Sequence, residues 1–571
     1  SASMGASAST TRASPRSSLL QMTARAAPMA LAGASVGLGA PSMGRAWASL
    51  RKPRWGFQTA RHSTAVATEP AKASAPPAHP AFSLVRSETI DEYGAVCHVY
   101  EHVASKAQVL SVVADDDNKV FGITFRTPPR DSTGLPHILE HSVLCGSKNY
   151  PTKEPFVELL KGSLQTFLNA FTYPDRTCYP VASQNLEDFR NLARVYLDAV
   201  FYPRAASDET VLQQEGWHYE VDDDSKLTYS GVVYNEMKGV YSSPDSLMQR
   251  AAQQALFPDN AYGVDSGGDP NAIPDLDFAQ FQAFHGEFYH PTNSRIFFYG
   301  DDDPLERLEL LDEYLSDFVE RKGDTEVATQ KITFAEPKKI VEKFPASPGD
   351  DGPGGAHMVS VNWLLASEPM SPKDELGLGV LDHMLLGTST SRLRKALTDS
   401  GLGESVIGGG LSDELKQPTF AVGLKGVEAE NVEKVEALVV DTLKAIEAEG
   451  FDPAALAASM NTIEFGMREF NTGSFPKGLS FMLGMMRNWI YDRDPVEALR
   501  FEAPLAELKK ELADDADAYF AGLISKLLTS NTHRVTVEMR PDETLEETQK
   551  AEEAGRLAAI RDDMSPEDLA A

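Results

Sequence analysis

The run His137-Ile138-Leu139-Glu140-His141 constrains this chain more than any other feature. Two imidazoles and a carboxylate in H-x-x-E-H order act together only if the segment is helical, because residues at i, i+3 and i+4 then share one face. His137 and His141 then stand on adjacent turns with Glu140 between them. The other face carries Ile138, Leu139, Val143 and Leu144 and must be buried. Thr133-Gly134-Leu135-Pro136 supplies a turn and a proline suited to a helix start. Neutral imidazoles suit Zn²⁺, and a catalytic zinc site takes three protein ligands plus water. The motif order is the reverse of H-E-x-x-H. It predicts a helix carrying two zinc ligands, with Glu140 placed to take a proton from water.

A third ligand must come from elsewhere. Glu236 lies in the apolar segment Val232-Val233-Tyr234-Asn235-Glu236-Met237-Lys238-Gly239-Val240. A carboxylate buried there needs a partner. A cation would serve, and so would Lys238 or a backbone cap. Glu215 and Glu220 are alternatives on the preceding helix, both expected to face solvent. Cys145, one turn beyond His141, is a further alternative, read mainly as a small buried hydrophobe. Cys97 and Cys178 have no ligand spacing. His98 and His102 sit in a strand-like region, where four residues span over ~13 Å, so a structural or surface role is expected. The stretch Ser163–Thr172 is strand-like and is a candidate sheet edge for an extended peptide, with an ordinary core element as the alternative. Leu144 and Phe156 are candidates to line an apolar pocket beside the site, or simply to pack in the core.

The 571 residues carry a formal net charge of −31. Nucleic-acid binding needs basic patches and is disfavoured; basic partners are the better match. Three cysteines form no disulfide framework and point to a reducing compartment. The first 68 residues hold Arg12, Arg16, Arg25, Arg45, Arg51, Lys52, Arg54 and Arg61 but no acid. That is the composition of an organelle transit peptide. The mitochondrial matrix is expected, with the plastid stroma as the alternative. The apolar patch Met29–Ala40 is too short to span a membrane, and no transmembrane segment is expected.

A Pro/Ala-rich linker covers 69–82. Strands are expected at Ala95–Tyr100, Ala107–Val113 and Val120–Arg126. Helices are expected at Leu186–Val200, Ser207–Glu220, Gly231–Tyr241 and Phe278–Phe288, and a strand at Ser294–Tyr299. This pattern reads as an α+β domain over 83–330, with helices on one face of a sheet. A second block over 331–540 repeats the plan. Strands are expected at Lys331–Phe344, His357–Leu365 and Thr419–Lys425, and helices at Lys373–Leu386 and Asn431–Glu449. Placing Leu381-Asp382-His383 under Leu139-Glu140-His141 puts Gly379 under His137, so the second copy lacks the first ligand. Pro353–Gly355 and Gly408–Gly410 read as loops without a nucleotide site. Residues 541–571 read as a solvated helix, the start of a hinge at which the chain stops.

These residues together resemble the inverted-zinc-motif metallopeptidase family of pitrilysin and insulin-degrading enzyme, in its presequence protease and falcilysin branch. The resemblance rests on Thr133 through Ser147, Phe167 through Thr172, Gly231 through Gly239, Asp265-Ser266-Gly267-Gly268-Asp269-Pro270 and Phe298-Tyr299-Gly300-Asp301. It implies His137, His141 and Glu236 as ligands of one zinc and Glu140 as general base. It implies Asn169 and Ala170 on a substrate-binding edge strand. It implies paired α+β domains, the first catalytic and the second not, followed by a helical hinge. The activity it implies is cleavage of unstructured peptides such as organellar presequences, which are basic. Family members carry a second half of similar size, expected to be missing here. The alternative is a non-catalytic scaffold or processing-complex subunit, or an inactive half-enzyme.

Overall fold

The computed structural model describes residues 75–153, 155–221, 226–346 and 356–570. The expected transit segment, residues 69–74 of the linker and the Pro353–Gly355 loop lie outside the described residues.

The first sheet is built from β1 (Phe82–Ile90), β2 (Ala95–His102), β3 (Gln108–Val113), β4 (Lys119–Arg126), β5 (Gln165–Leu168), β6 (Phe171–Thr172), β7 (Arg176–Ser183) and β10 (Ser294–Gly300). Their order is β1-β2-β3-β10-β4-β7-β5, with β6 also on β7. A separate hairpin joins β8 (His218–Val221) to β9 (Leu227–Ser230). The second sheet holds β11 (Lys338–Pro345), β12 (His357–Leu364), β13 (Ser405–Ser412), β14 (Thr419–Val427) and β15 (Arg534–Asp542), in the order β11-β15-β12-β14-β13.

The two sheets share one plan. In the first, β10 runs parallel to β3 and antiparallel to β4, and β4 and then β7 and β5 follow antiparallel. In the second, β15 runs parallel to β11 and antiparallel to β12, followed by β14 and β13 antiparallel. In the first copy the last strand, β10, inserts between β3 and β4, and in the second β15 inserts between β11 and β12; a helix follows β4 and β12. Those helices are α1 (Leu135–Val143), before α2 (Glu209–Glu215) and α3 (Val232–Tyr241), and in the second copy α4 (Pro372–Asp382). The fold is α+β in tandem.

The first sheet is covered on both faces, not on one. On one face Phe121, Ile123, Tyr179, Ile296 and Phe298 pack with Ile138, Leu139 and Val143 of α1 and with the helix Leu186–Phe201. On the other, Leu110, Val112, Phe297 and Tyr299 pack against α5 (Lys477–Trp489), through Leu479, Met482, Met485 and Trp489. Successive strand residues point to opposite faces. The uninterrupted run Ile296-Phe297-Phe298-Tyr299 is therefore what a strand buried on both sides requires. The second cover comes from a segment some 180 residues later in the chain, which pattern-reading of residues 83–330 could not supply.

Other boundaries also shift. The helix expected over Ser207–Glu220 stops at Glu215, and the chain turns into β8. The strand expected from Lys331 begins at Lys338. Gly408–Gly410 are part of β13, whose register shifts between Ile407 and Gly410. Gly408 and Gly410 have φ of +84° and +76°, which glycine alone tolerates without strain. α6 (Leu545–Asp563) is not fully solvated: Leu557 is buried in the first core. No helix among the described residues is long and apolar enough to cross a membrane.

A buried polar cluster ties the two copies together. Asp175 is fully buried and accepts from Tyr262 Oη and Tyr491 Oη, each at 2.5 Å, and from Arg176 at 2.9 Å. Arg176 also donates to the Glu414 carbonyl at the turn between β13 and β14. Removing one member of a buried, hydrogen-bonded ion pair leaves the other charge uncompensated. Asp175→Ala is therefore expected to cost about 3–5 kcal/mol of stability, read as a lowered midpoint in denaturant unfolding followed by tryptophan fluorescence.

Candidate metal centre

α1 starts at Gly134, whose φ is +71°. A Cβ there would meet Gly267 O at 2.7 Å and Gly268 Cα at 2.8 Å. Gly268 has a positive φ as well, and a Cβ on it would press on Gly134 and Ile273. These glycines let the loop after Asp265 lie directly on the start of α1. The loop is held in turn by Asp265, which accepts from Gly267 N at 2.9 Å and Tyr241 Oη at 2.8 Å and pairs with Arg250.

The close approach fixes an imidazole. His137 Nδ1 lies 3.0 Å from the Gly267 carbonyl. A carbonyl only accepts, so Nδ1 carries the proton and Nε2 keeps its lone pair. On the next turn, His141 Nδ1 lies 3.5 Å from Glu215 Oε2 at the end of α2. That leaves the Nε2 of His141 directed the same way. Both Nε2 atoms meet the carboxylate of Glu236, from α3, at 4.0 Å and 3.9 Å. One donor atom from each of His137, His141 and Glu236 falls within 4.8 Å of the others. Two outward-held imidazoles and one carboxylate form a donor set that fits zinc.

Electrostatics separate the two histidines. Burial holds the His137 imidazole below its ordinary pKa, and the neighbouring His141 adds to the effect. Burial also acts to lower His141, but hydrogen bonding to Glu215 and the charges of Glu140, Glu215 and Glu236 outweigh it and raise the pKa. Glu215 responds in the opposite sense. Burial acts to raise it, and its bonds to His141, Gln214 and Cys145 bring it below the ordinary value. Glu215 is thus a buried carboxylate held by polar partners.

This corrects the expectation that Glu215 faces solvent; Glu220 is exposed as expected. Cys145 is buried and its thiol donates to Glu215 at 3.4 Å, so it supports the orienting carboxylate. His98 and His102 are both buried, bonded to Ser87 and Ser105 respectively. Glu140 faces a partner that sequence reading missed: Thr172 Oγ1 of β6 donates to Glu140 Oε2 at 2.6 Å. Asn169 and Ala170 lie in the break between β5 and β6, on that same edge. Tyr196 Oη donates to the Asn169 carbonyl at 3.2 Å. Leu144 and Phe156 are half-buried against the first core. Gly267 was within reach of sequence reading, since its Gly-Gly pair belongs to one of the resembling segments, and so was Glu215, which lies at i+4 from Val211 and i+3 from Leu212 on the apolar face of α2.

Comparisons with known proteins bear on the family and the fold. The family model described as Insulinase (Peptidase family M16) matches residues 126–239, and the one described as Peptidase M16 inactive domain matches residues 275–463. The chain is 56% identical over 494 residues to presequence protease 1, chloroplastic/mitochondrial, of Arabidopsis thaliana, covering 86% of this chain and 46% of that one. It is 42% identical to protein HypA of Clostridium perfringens, covering 86% and 50%. It is 36% identical to the mitochondrial presequence protease of Danio rerio, covering 82% and 46%. The chain thus spans about half the length of the curated relatives it matches. Among solved structures, a peptidase M16 inactive domain from Pseudomonas fluorescens aligns with a TM-score of 0.59 at 16% identity, covering 80% of this chain and 98% of that one. A mutant of the ferredoxin protease FusC, in complex with Arabidopsis ferredoxin, aligns at 0.55 and 14% identity, covering 84% and 50%. At these identities the structural matches speak for the fold.

The glycine contact at the helix start is directly testable. Gly134→Ala forces a left-handed residue to carry a Cβ into backbone atoms at 2.7 and 2.8 Å. A cost of roughly 1–3 kcal/mol is expected from the backbone conformation alone. Thermal unfolding should show the loss, and histidine NMR should show the His137 ring released from Gly267.

Proposed function

The chain belongs to the M16 peptidase family, and on that premise we propose that it is the metal-holding half of a zinc metalloendopeptidase acting on unstructured peptides. One observation carries the proposal. Donor atoms of His137, His141 and Glu236 converge within 4.8 Å although they come from helices about 100 residues apart, with Glu140 between the two histidines. His137, His141 and Glu236 would hold one zinc ion. Bound there, zinc supplies a Lewis acid that acidifies water and polarises a peptide carbonyl.

The remaining roles fall to this chain's own residues. Glu140 takes the proton of the attacking water and passes it to the leaving amine. Thr172 holds the Glu140 carboxylate at one oxygen, leaving the other for that proton. Gly267 and Glu215 set the tautomer and orientation of the two imidazoles. Asn169 and Ala170 offer backbone groups to an extended peptide added along the β5–β6 edge, and Leu144 and Phe156 contact its apolar side chains. The net charge of −31 favours basic peptides such as cleaved targeting sequences. An organellar setting, mitochondrial matrix or plastid stroma, agrees with the acid-free first 68 residues and with the chloroplastic or mitochondrial presequence protease relatives.

Glu140→Gln should keep zinc and lose hydrolysis by a factor of about 10²–10⁴, measured by metal analysis and cleavage of a basic fluorogenic peptide. Undiminished cleavage by that variant would sink the assignment. Glu215→Gln should weaken zinc binding by about 10–100-fold, measured by chelator competition.

A second reading is a scaffold that binds presequences without cutting them, or a half-enzyme that is inactive alone. Assaying residues 69–571 on a basic peptide, with and without chelator, separates the readings. Chelator-sensitive cleavage supports the enzyme; binding without cleavage supports the scaffold.

A further inference from the structure

α6 lies far from the metal centre in sequence but touches its supports at two points. Lys238 Nζ of α3 donates to both carboxylate oxygens of Glu553, at 2.8 and 3.1 Å. Tyr234 Oη reaches the same carboxylate at 3.5 Å. Tyr234 and Lys238 are four residues apart and share one face of α3. Glu236 lies two residues from each, about 200° around the helix at 3.6 residues per turn. α6 therefore bears on the back of the helix whose front presents Glu236.

The second contact is to the loop that orients His137. Arg556 donates to the Asn271 carbonyl at 3.2 Å and lies over the Tyr229 ring at 5.2 Å. Asn271 is four residues beyond Gly267, the acceptor of His137 Nδ1. The loop between them is tied down: Asp269 N donates to Ser132 O, and Ile273, fully buried, packs on Gly268. Met237 of α3 also abuts Gly267. Leu557, one residue from Arg556, is buried in the first core and fixes the depth at which α6 sits.

We infer that α6 is a brace for the metal centre, with Glu553 and Arg556 as positioning residues. Glu553 holds α3 from behind, and so the carboxylate of Glu236. Arg556 holds the end of the 265–273 loop, and so the carbonyl that orients His137. Metal affinity then depends on a helix that contributes no ligand. Any movement of α6 alters two of the three donors together, while His141, oriented by Glu215 on α2, stays in place. This inference rests on the reading that His137, His141 and Glu236 hold zinc.

The test is zinc affinity of the 571-residue chain, read by competition with a chromogenic chelator, with thermal unfolding of each zinc-free protein alongside. Glu553→Lys should weaken zinc binding tenfold or more. The charge-swapped pair Lys238→Glu with Glu553→Lys should recover to within about threefold of the parent. Arg556→Met should weaken binding several-fold. Should Glu553→Lys fail to fold, the milder Glu553→Gln gives the same direction with a smaller effect. Folded Glu553→Gln and Arg556→Met proteins that keep the parent's affinity, whatever their unfolding temperature, would overturn the brace and leave the zinc assignment standing. A parent chain that takes up no zinc would overturn the zinc assignment, and the brace with it.

Discussion

Two imidazoles can be buried side by side and aimed at one point only if the other nitrogen of each is held. That requirement organises the first half of this fold. His137 meets it with a backbone carbonyl, which is available because Gly134 and Gly268 let two backbone segments approach more closely than any Cβ permits. His141 meets it with Glu215, a buried carboxylate that hydrogen bonds keep ionised. The large apolar face of α1 then anchors the arrangement to the sheet.

The second copy shows the same scaffold without that requirement. Its helix α4 follows β12 as α1 follows β4, but Gly379 stands where a first histidine would be. Asp382, under Glu140, accepts from the Leu411 N–H at 3.0 Å, and burial raises its pKa to about 6. His383, under His141, faces Ser459 at 2.9 Å. A backbone N–H and a hydroxyl thus satisfy these two groups within the protein. The match of these residues to a model described as inactive is consistent with that chemistry. What the copy retains is a structural task. Through α5 it covers the second face of the first sheet, and through the Asp175 cluster it is locked to the first copy.

Much of this is legible in the sequence because local rules dominate there. The i, i+3, i+4 spacing of the motif requires one helical face. The apolar run in Ser294–Tyr299 reads as a strand and is found as one, Ser294–Gly300, while its second cover was not foreseen. The downstream acid in an apolar segment, Glu236, needs a partner, and only the resemblance singles it out over Glu215 and Cys145. The misses share one cause. Glu215 reads as solvent-facing because it is charged, yet it stands one turn beyond Val211 and Leu212 on the same buried face of α2, next to His141. The 408–410 glycines read as a loop because glycine is permissive. In fact β14 packs beside them, and positive φ accommodates a bulge within the strand.

The sequence by itself determined which groups are on offer: His137, Glu140 and His141 on one helical face, and Glu236 in an apolar segment that can be read locally. Tertiary structure alone decided how those groups are held. The Gly267 carbonyl, Thr172, Glu215 and Glu553 reach the site from segments 32 to some 300 residues from the groups they hold. No periodic pattern encodes such contacts, because each depends on where separate helices and loops come to rest when they bury their apolar faces on a common sheet.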